Sequence, residues 1–427
     1  MPKEAAVMKD PMAMGLHDEM ATGGHLYMQT NEVQNCVVHY ARGADGTLTE
    51  VGRCLTGGSG SGTFKPISGQ ESAPNAFEGA RSVILTPDRR FLFATNGGDN
   101  SVSSFEVGVD GKLTLIDITR TGNIVGGRSG TCKSLAYSPT HEMLFVLHGF
   151  GPEHVRLMKV NGEGQLRALP GSHTVNTMDK PNRVATMVTL SPDERFLIVG
   201  TTFDEPANAN PDGSPILWVR RADGSSHSIA SNAPDPDGLV VFPVDGNGNL
   251  GTGSFQDGGG GSPFFPVFLN HRHDQFVIGY AVADGVALAT LDDDGTVRTA
   301  PVVTIDTSEG KPSELCWASI SPDDRWVFAT NFGYSYISTF RIEGNVLTVA
   351  HDQACPKVRG DGTFRALNGT VSAGPSDQWL SPDGRYLYQI YGNASKLIGY
   401  AVQADGSLTE ITSSAIPYNS PQGLTGF

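Results

Sequence analysis

The turn Ser/Thr-Pro-Asp, or a close variant of it, returns along the chain with an apolar strand on either side. It reads ILTPDRRFLFATN around Pro87, AYSPTHEMLFVLH around Pro139, TLSPDERFLIVG around Pro192, SISPDDRWVFATN around Pro322 and WLSPDGRYLYQIY around Pro382. Successive prolines stand 52 and 53 residues apart in the first half and 60 apart between Pro322 and Pro382. Each copy continues through a polar gap, a third strand and a glycine turn into a fourth. Proline fixes φ at the corner, and the aspartate bonds back to the local backbone. A period of this length with four short strands per unit is the signature of a propeller blade. The 3.6-residue period of a helical solenoid does not occur between Arg81 and Asp377.

Six complete units begin at Arg81, Lys133, Ala185, Pro266, Leu315 and Asp377. A seventh is divided. HLYMQTN, CVVHYARGADG and TLTEVG within residues 25 to 52 supply second, third and fourth strands, and PQGLTGF (421 to 427) supplies the first. Joining both termini in one blade removes the free sheet edge that an open ring would present. The expectation is an all-β, seven-bladed β-propeller over residues 25–427 with four-stranded blades, preceded by an N-terminal extension (1–24) and interrupted by an insertion at 205–237. That insertion, with Trp218, Arg220 and Arg221, reads either as a lid or as an arm to a second subunit.

Within a blade, the turns joining strands one to two and three to four share one face, and these are short throughout. The connections on the other face hold nearly all the excess chain, including 55 to 80, 120 to 132, 168 to 183, 205 to 237, 252 to 264 and 352 to 375. Long loops on a rigid scaffold are where binding is commonly built, so this face is expected to carry the function. Residues at the starts of the innermost strands should ring the channel mouth: Arg81, Lys133, Arg183, Phe265, Glu314, Asp377 and Gln422. The ends of the second strands add Asn31, Asn96, His148, Asn331, Phe332 and Tyr391.

Cations on three consecutive blades facing two carboxylates suit a small polar anion held by guanidinium and ammonium groups. On this basis His148, Glu314 and Arg183 are the candidate catalytic residues. Arg81, Lys133, His154, Asp377, Phe332 and Tyr391 are candidates for substrate binding. Imidazole titrates near neutrality, which nominates His148 as the base. The alternative for the charged residues is that they pair with one another and only hold the blades together.

Other features read as structure. NHRHD, with His271, His273 and Asp274, replaces the Pro-Asp turn of its blade and falls on the short-loop face. Asp292, Asp293 and Asp294 lack the spacing of a calcium loop. GGSGSG (57 to 62) does not sit between a strand and a helix and reads as a flexible loop. There is no GxSxG elbow, P-loop or HExxH, so neither a cofactor nor a metal is expected. Cys36, Cys54, Cys132, Cys316 and Cys355 are scattered and odd in number, which reads as buried free thiols. A formal net charge of -15 argues against nucleic acid or an anionic membrane as partner. The expected partner is a small-molecule substrate, the expected state a monomer or homodimer, and the expected location cytoplasmic.

The blade formula in LSPDERFLIVG, LSPDGRYLYQIYG and KLIGYAVQADGSLTEI, with the closing PQGLTGF, resembles the seven-bladed lactonase family. That family includes propeller-type 6-phosphogluconolactonase and carboxy-cis,cis-muconate lactonizing enzyme. The resemblance implies a metal-independent lactonase-like hydrolase acting on a small cyclic ester at the channel mouth. A lyase or isomerase acting on an aromatic-degradation or natural-product intermediate is the second reading, favoured by Phe265, Trp317, Phe332, Tyr334, Tyr336 and Tyr391. A noncatalytic binding propeller is the third. This sequence departs from the family where inner strands usually carry Pro-His and a further histidine: GARSVIL, TCKSLAY and NRVATMV contain none.

Overall fold

The computed structural model describes residues 23–62, 80–125, 128–178, 183–204, 219–220, 226–227, 238–307, 313–363, 366, 369–418 and 422–427. They form seven antiparallel blades in a ring. The innermost strands are Gln422–Gly426 in blade 1, Val83–Leu85 in blade 2, Cys132–Ser138 in blade 3 and Arg183–Leu190 in blade 4. Pro263–Phe268, Leu315–Ile320 and Pro375–Leu380 follow in blades 5, 6 and 7. Among the described residues, blade 5 alone carries an added short strand, Val303–Thr304, against its third strand. Of the insertion only the pairing of Val219–Arg220 with Ser226–His227 is described, so Trp218, Arg221 and the choice between lid and arm lie outside the described residues.

Blade 1 is the divided one. Gly24–Gln29, Cys36–Arg42 and Leu48–Leu55 come from the N-terminal side, and Gln422–Gly426 pairs antiparallel with Gly24–Gln29. Beyond that register, His25 and Phe427 exchange both backbone hydrogen bonds at 2.8 and 2.9 Å. Apolar clusters lie between successive blades, as when Leu135, Leu144, Val146 and Met158 of blade 3 pack on Phe91, Phe93 and Val102 of blade 2. Burial on both faces of each sheet is the main stabilising term in such a ring.

The repeated turn has one physical plan. In blades 2, 4, 6 and 7 the Ser/Thr hydroxyl donates to the aspartate two residues on: Thr86 to Asp88, Ser191 to Asp193, Ser321 to Asp323 and Ser381 to Asp383, all at 2.5–2.6 Å. The same carboxylate accepts the backbone N–H of Arg90, Arg195, Arg325 or Arg385. Each arginine then lies over the next aromatic ring, Phe91, Phe196, Trp326 or Tyr386, at 4.9–5.7 Å. The formula that dominates the sequence is therefore a turn and an edge clasp.

Blades 3 and 5 lack that aspartate, and in both the next blade supplies a carboxylate. Glu194 of blade 4 accepts from Ser138 and from Thr140 (2.9 Å). Asp324 of blade 6 accepts from the backbone N–H groups of Asn270 (2.7 Å) and His271 (2.8 Å) and from the Asn270 side chain (2.9 Å). Both occupy the left-handed corner of their own turns, Glu194 at φ 58 and Asp324 at φ 58. NHRHD is thus a turn braced from blade 6. GGSGSG departs from the flexible loop expected of it, because Gly60 and Gly62 donate to Glu32 and Asn31 and Ser59 accepts from Gly98, tying blade 1 to blade 2.

The brace gives a test of stability. Asp324→Ala leaves two backbone donors of blade 5 without their acceptor and is expected to cost about 1–3 kcal/mol, measured by urea unfolding. Asp323→Ala, whose loss affects only its own surface turn, is expected to cost about half as much or less.

Candidate active site at the channel mouth

Almost every inner strand changes register close to its start. In blades 3, 5 and 6 the extra residue is Lys133, Phe264 and Cys316, and blades 1, 4 and 7 shift at the corresponding place. A bulge re-aims the side chains around it. Just before or at this point the backbone turns left-handed at non-glycine residues: Arg81 (φ 55), Thr131 (φ 58), Ser262 (φ 59) and Glu314 (φ 58). The mouth is therefore a collar of residues held in uncommon backbone conformations, a feature that gathers at functional sites.

Asp377 is the hub of the collar's closure. One carboxylate oxygen accepts the backbone N–H groups of Leu424 in blade 1 and Arg81 in blade 2, each at 3.2 Å, and the other accepts from Gln378 at 3.0 Å. It is 7% exposed. Burial raises its pKa to about 7, against the opposing pull of these donors and of the Arg81 charge. The Arg81 side chain crosses from blade 2 to blade 4, where its Nη1 donates to Thr189 Oγ1 at 3.1 Å.

Lys133 is buried beside this pair and donates from Nζ to the Ala185 carbonyl of blade 4 at 3.0 Å. On the other side of the mouth stands a carboxylate group in blades 5 and 6. Asp284 accepts from Ser313 N (2.6 and 2.7 Å), Ser313 Oγ (3.1 Å) and Glu314 N (3.0 Å), and burial still pushes its pKa to about 6. The buried thiol of Cys316 reports the field between the two sides. Burial, Glu314 and Asp284 push its pKa well up, while the Lys133 charge pulls it down. The Lys133 and Glu314 charges are both felt at Cys316, which packs in one cluster with Phe264, Trp317 and Phe332.

The other expected residues are used differently. Arg183 does not join Arg81: its guanidinium runs outward, 3.9 Å from the centre of the Phe255 ring on the outermost strand, with Nη1 on Thr201 Oγ1 at 3.2 Å. Tyr391 is fully buried toward its own blade, its hydroxyl 2.9 Å from that of Tyr400. His148 is fully buried, donating from Nδ1 to the His154 carbonyl (3.0 Å) and accepting at Nε2 from Thr121 Oγ1 (2.8 Å). His154 donates from Nε2 to the Arg183 carbonyl at 3.0 Å and accepts at Nδ1 from Val175 N–H at 3.3 Å. Burial lowers their pKa values to about 3 and about 4.

A pattern explains His148. In blades 2, 3, 5 and 6 the residue ending the second strand reaches back to the connection arriving from the preceding blade. Asn96 accepts from Thr56 (2.7 Å), Asn331 accepts from Ser313 (2.7 Å), Tyr280 donates to the Gly258 carbonyl, and His148 bonds Thr121. In blade 3 this latch is a histidine. Asp284 and Ser313 were missed by sequence reasoning, since VADG reads as an ordinary hairpin turn; nothing local marks it as an inter-blade brace.

Comparison with known proteins agrees with this architecture. A family model described as "Lactonase, 7-bladed beta-propeller" matches residues 22–129. Across nearly the whole ring, the structure superposes on the periplasmic gluconolactonase of Pseudomonas aeruginosa with a TM-score of 0.62 at 16% identity, covering 94% of this chain and 98% of that one. Over residues 22–129 the chain is similar to the seven-bladed β-propeller lactonases, and around the ring it shares their fold. In sequence, the 6-phosphogluconolactonase of Erwinia tasmaniensis is 24% identical over 304 residues, 65% of this chain and 83% of that protein. A 6-phosphogluconolactonase of an Enterobacter species is 22% identical over 296 residues, 64% of this chain and 81% of that protein.

This propeller places Arg81, Lys133, Glu314 and Asp377 at the starts of its inner strands and keeps its buried histidines as latches. Among the described residues no helix is long and apolar enough to cross a membrane. The latch reading fixes a sign for pH dependence. A histidine whose folded pKa lies below its unfolded value loses stability as pH falls from about 6.5, because the unfolded chain takes up the proton first. His148→Asn, which installs the residue found at the same place in blades 2 and 6, is therefore expected to fold at pH 7. Its loss of stability between pH 7 and pH 5 should be about 2 kcal/mol smaller than that of the wild type, measured by denaturant titration at both values.

Proposed function

We propose that this protein is a lactonase-like hydrolase that opens a small, oxygenated, anionic cyclic ester at the channel mouth. The observation that carries the proposal is the gathering of Arg81, Lys133, Glu314 and Asp377 at the starts of the inner strands of four blades, with the Asp377 carboxylate hydrogen-bonded to the Arg81 backbone and Lys133 reaching the Ala185 carbonyl of blade 4. The lactonase-model match over residues 22–129 and the similarity to proteins named 6-phosphogluconolactonase support the reaction class. Propeller and reaction alike favour a small-molecule partner, and the acidic balance of the chain is consistent with that.

In this reading the cationic side binds the ester carbonyl and any acidic substituent, with Lys133 and Arg81 as donors. Glu314 takes a proton from water, whose oxygen attacks the carbonyl carbon. The negative charge that develops on the carbonyl oxygen is stabilised by the ammonium group in a water-poor setting. The tetrahedral intermediate collapses with cleavage of the ring C–O bond, and the leaving alkoxide receives the proton from Glu314. The product is the open-chain hydroxy acid, and the proton balance is completed by its ionisation. His148 and His154 take no part in the chemistry in this reading, because their ring nitrogens are engaged by Thr121, the His154 carbonyl and the Arg183 carbonyl.

A second reading keeps the same mouth for an elimination or isomerisation. It is favoured by the wall of Phe264, Trp317 and Phe332, which suits a flatter and less hydroxylated ring. Both readings predict a base on blade 6 and a cation on blade 3.

The test is proton release on a panel of sugar-acid lactones, with and without phosphate, and muconolactone-type compounds. Lys133→Met and Glu314→Gln are expected to lower kcat/KM by about 100-fold or more while His148→Asn stays within about threefold of wild type. Wild-type rates in both Lys133→Met and Glu314→Gln would remove the chemistry from this part of the mouth. A loss confined to His148→Asn would return the base to the histidine.

A further inference from the structure

One buried donor at the mouth has no use within the fold. Trp317 stands on the inner strand of blade 6, one residue past the bulge at Cys316 and three past the left-handed Glu314. Its side chain is 2% exposed and packs edge-on to Phe264, with ring centres 5.1 Å apart, and 6.2 Å from Phe332. Its indole Nε1–H is buried and has no hydrogen-bond partner among the described residues.

Burying an unbonded donor costs about 1–3 kcal/mol, and phenylalanine, already present at Phe264, Phe265 and Phe332, would fill apolar space without that cost. Buried indoles normally find an acceptor. This one lies in the packed cluster that also holds Ala80 at the start of blade 2, Met187 of blade 4 and Ala366 of the loop before blade 7. The cluster therefore bridges several blades around the axis beside Lys133 and Glu314, where the proposed substrate sits.

We propose that the Trp317 indole N–H is the hydrogen-bond donor to a ring hydroxyl of the bound lactone, making Trp317 a specificity-determining residue for hydroxylated over deoxygenated lactones. The inference rests on the mouth being the substrate site. A donor that can be satisfied only by the ligand discriminates strongly, because an analogue without the oxygen leaves it unbonded.

The experiment compares wild type with Trp317→Phe, which keeps an aromatic ring and removes the donor. Three readouts are taken: the Tm of the unliganded protein, the Tm shift on adding D-gluconate as a product-like probe, and kcat/KM for D-glucono-1,5-lactone against δ-valerolactone, which has no ring hydroxyls. The expected result is an unliganded Tm equal to or above wild type, a gluconate shift reduced to less than half, and a kcat/KM for gluconolactone lowered about 10- to 100-fold, mainly through KM, with valerolactone within about threefold. Equal gluconolactone kinetics and equal gluconate shifts in the two proteins overturn the proposal, as does a fall of several degrees in unliganded Tm, which would mean the indole is bonded inside the fold.

Failure of the hydrolase reading is separately visible. If wild type hydrolyses neither lactone, that reading falls, and the gluconate shift alone decides: a shift lost in Trp317→Phe supports the donor, and a shift that is unchanged or missing in both proteins overturns it.

Discussion

Seven blades can surround one axis only if the last finds the first, and here that meeting depends on the strand Gln422–Gly426 lying against Gly24–Gln29. Asp377 completes the arrangement from the neighbouring blade, because its carboxylate accepts backbone donors from the closing strand and from the start of blade 2 at once. Without those bonds, the N–H groups of Leu424 and Arg81 would be buried without an acceptor, which is costly in a protein interior. The same carboxylate sits at the channel mouth with the Arg81 guanidinium beside it. Closure and site are therefore built from the same atoms.

Satisfying polar groups between blades governs much of the rest. Asn96, His148, Tyr280 and Asn331 all tie a second strand to the incoming connection, and Asn100, Asp284 and Ser335 accept from the backbone that starts the following inner strand. Glu194 and Asp324 do similar work on the opposite face. Each blade is completed by its neighbour, so few of these side chains can be understood from their own repeat. Lys133 belongs to this scheme as well, since its ammonium group reaches the Ala185 carbonyl of the next blade.

This division explains what was legible in the chain. The repeat, the divided blade and the structural role of the Pro-Asp turns could be read directly, because turn chemistry and two-residue alternation are local properties. Arg81, Lys133, Glu314 and Asp377 were also found at the mouth, since their distance from each turn places them at the start of an inner strand. Arg183 starts an inner strand and Tyr391 ends a second one, yet the Arg183 guanidinium runs outward to Phe255 and the Tyr391 hydroxyl turns to Tyr400 of its own blade. The register shift beside Arg183 is not visible in the sequence, and a shift of one residue reverses the direction of a side chain in a strand.

The histidines show the same limit from another side. A histidine beside glycine in VLHGFGPEH has the composition of a general base, and only the fold shows both its ring nitrogens engaged by Thr121 and His154. Asp284, in an ordinary-looking turn, gains its importance from Ser313 and Glu314, about thirty residues away in sequence. The sequence by itself determined the blade count, the manner of closure and the face that bears the long loops, because these follow from periodicity and turn geometry. The tertiary structure alone decided which charges meet and which are spent as braces, because that depends on side-chain direction and on partners in neighbouring blades, neither of which is encoded within a single repeat.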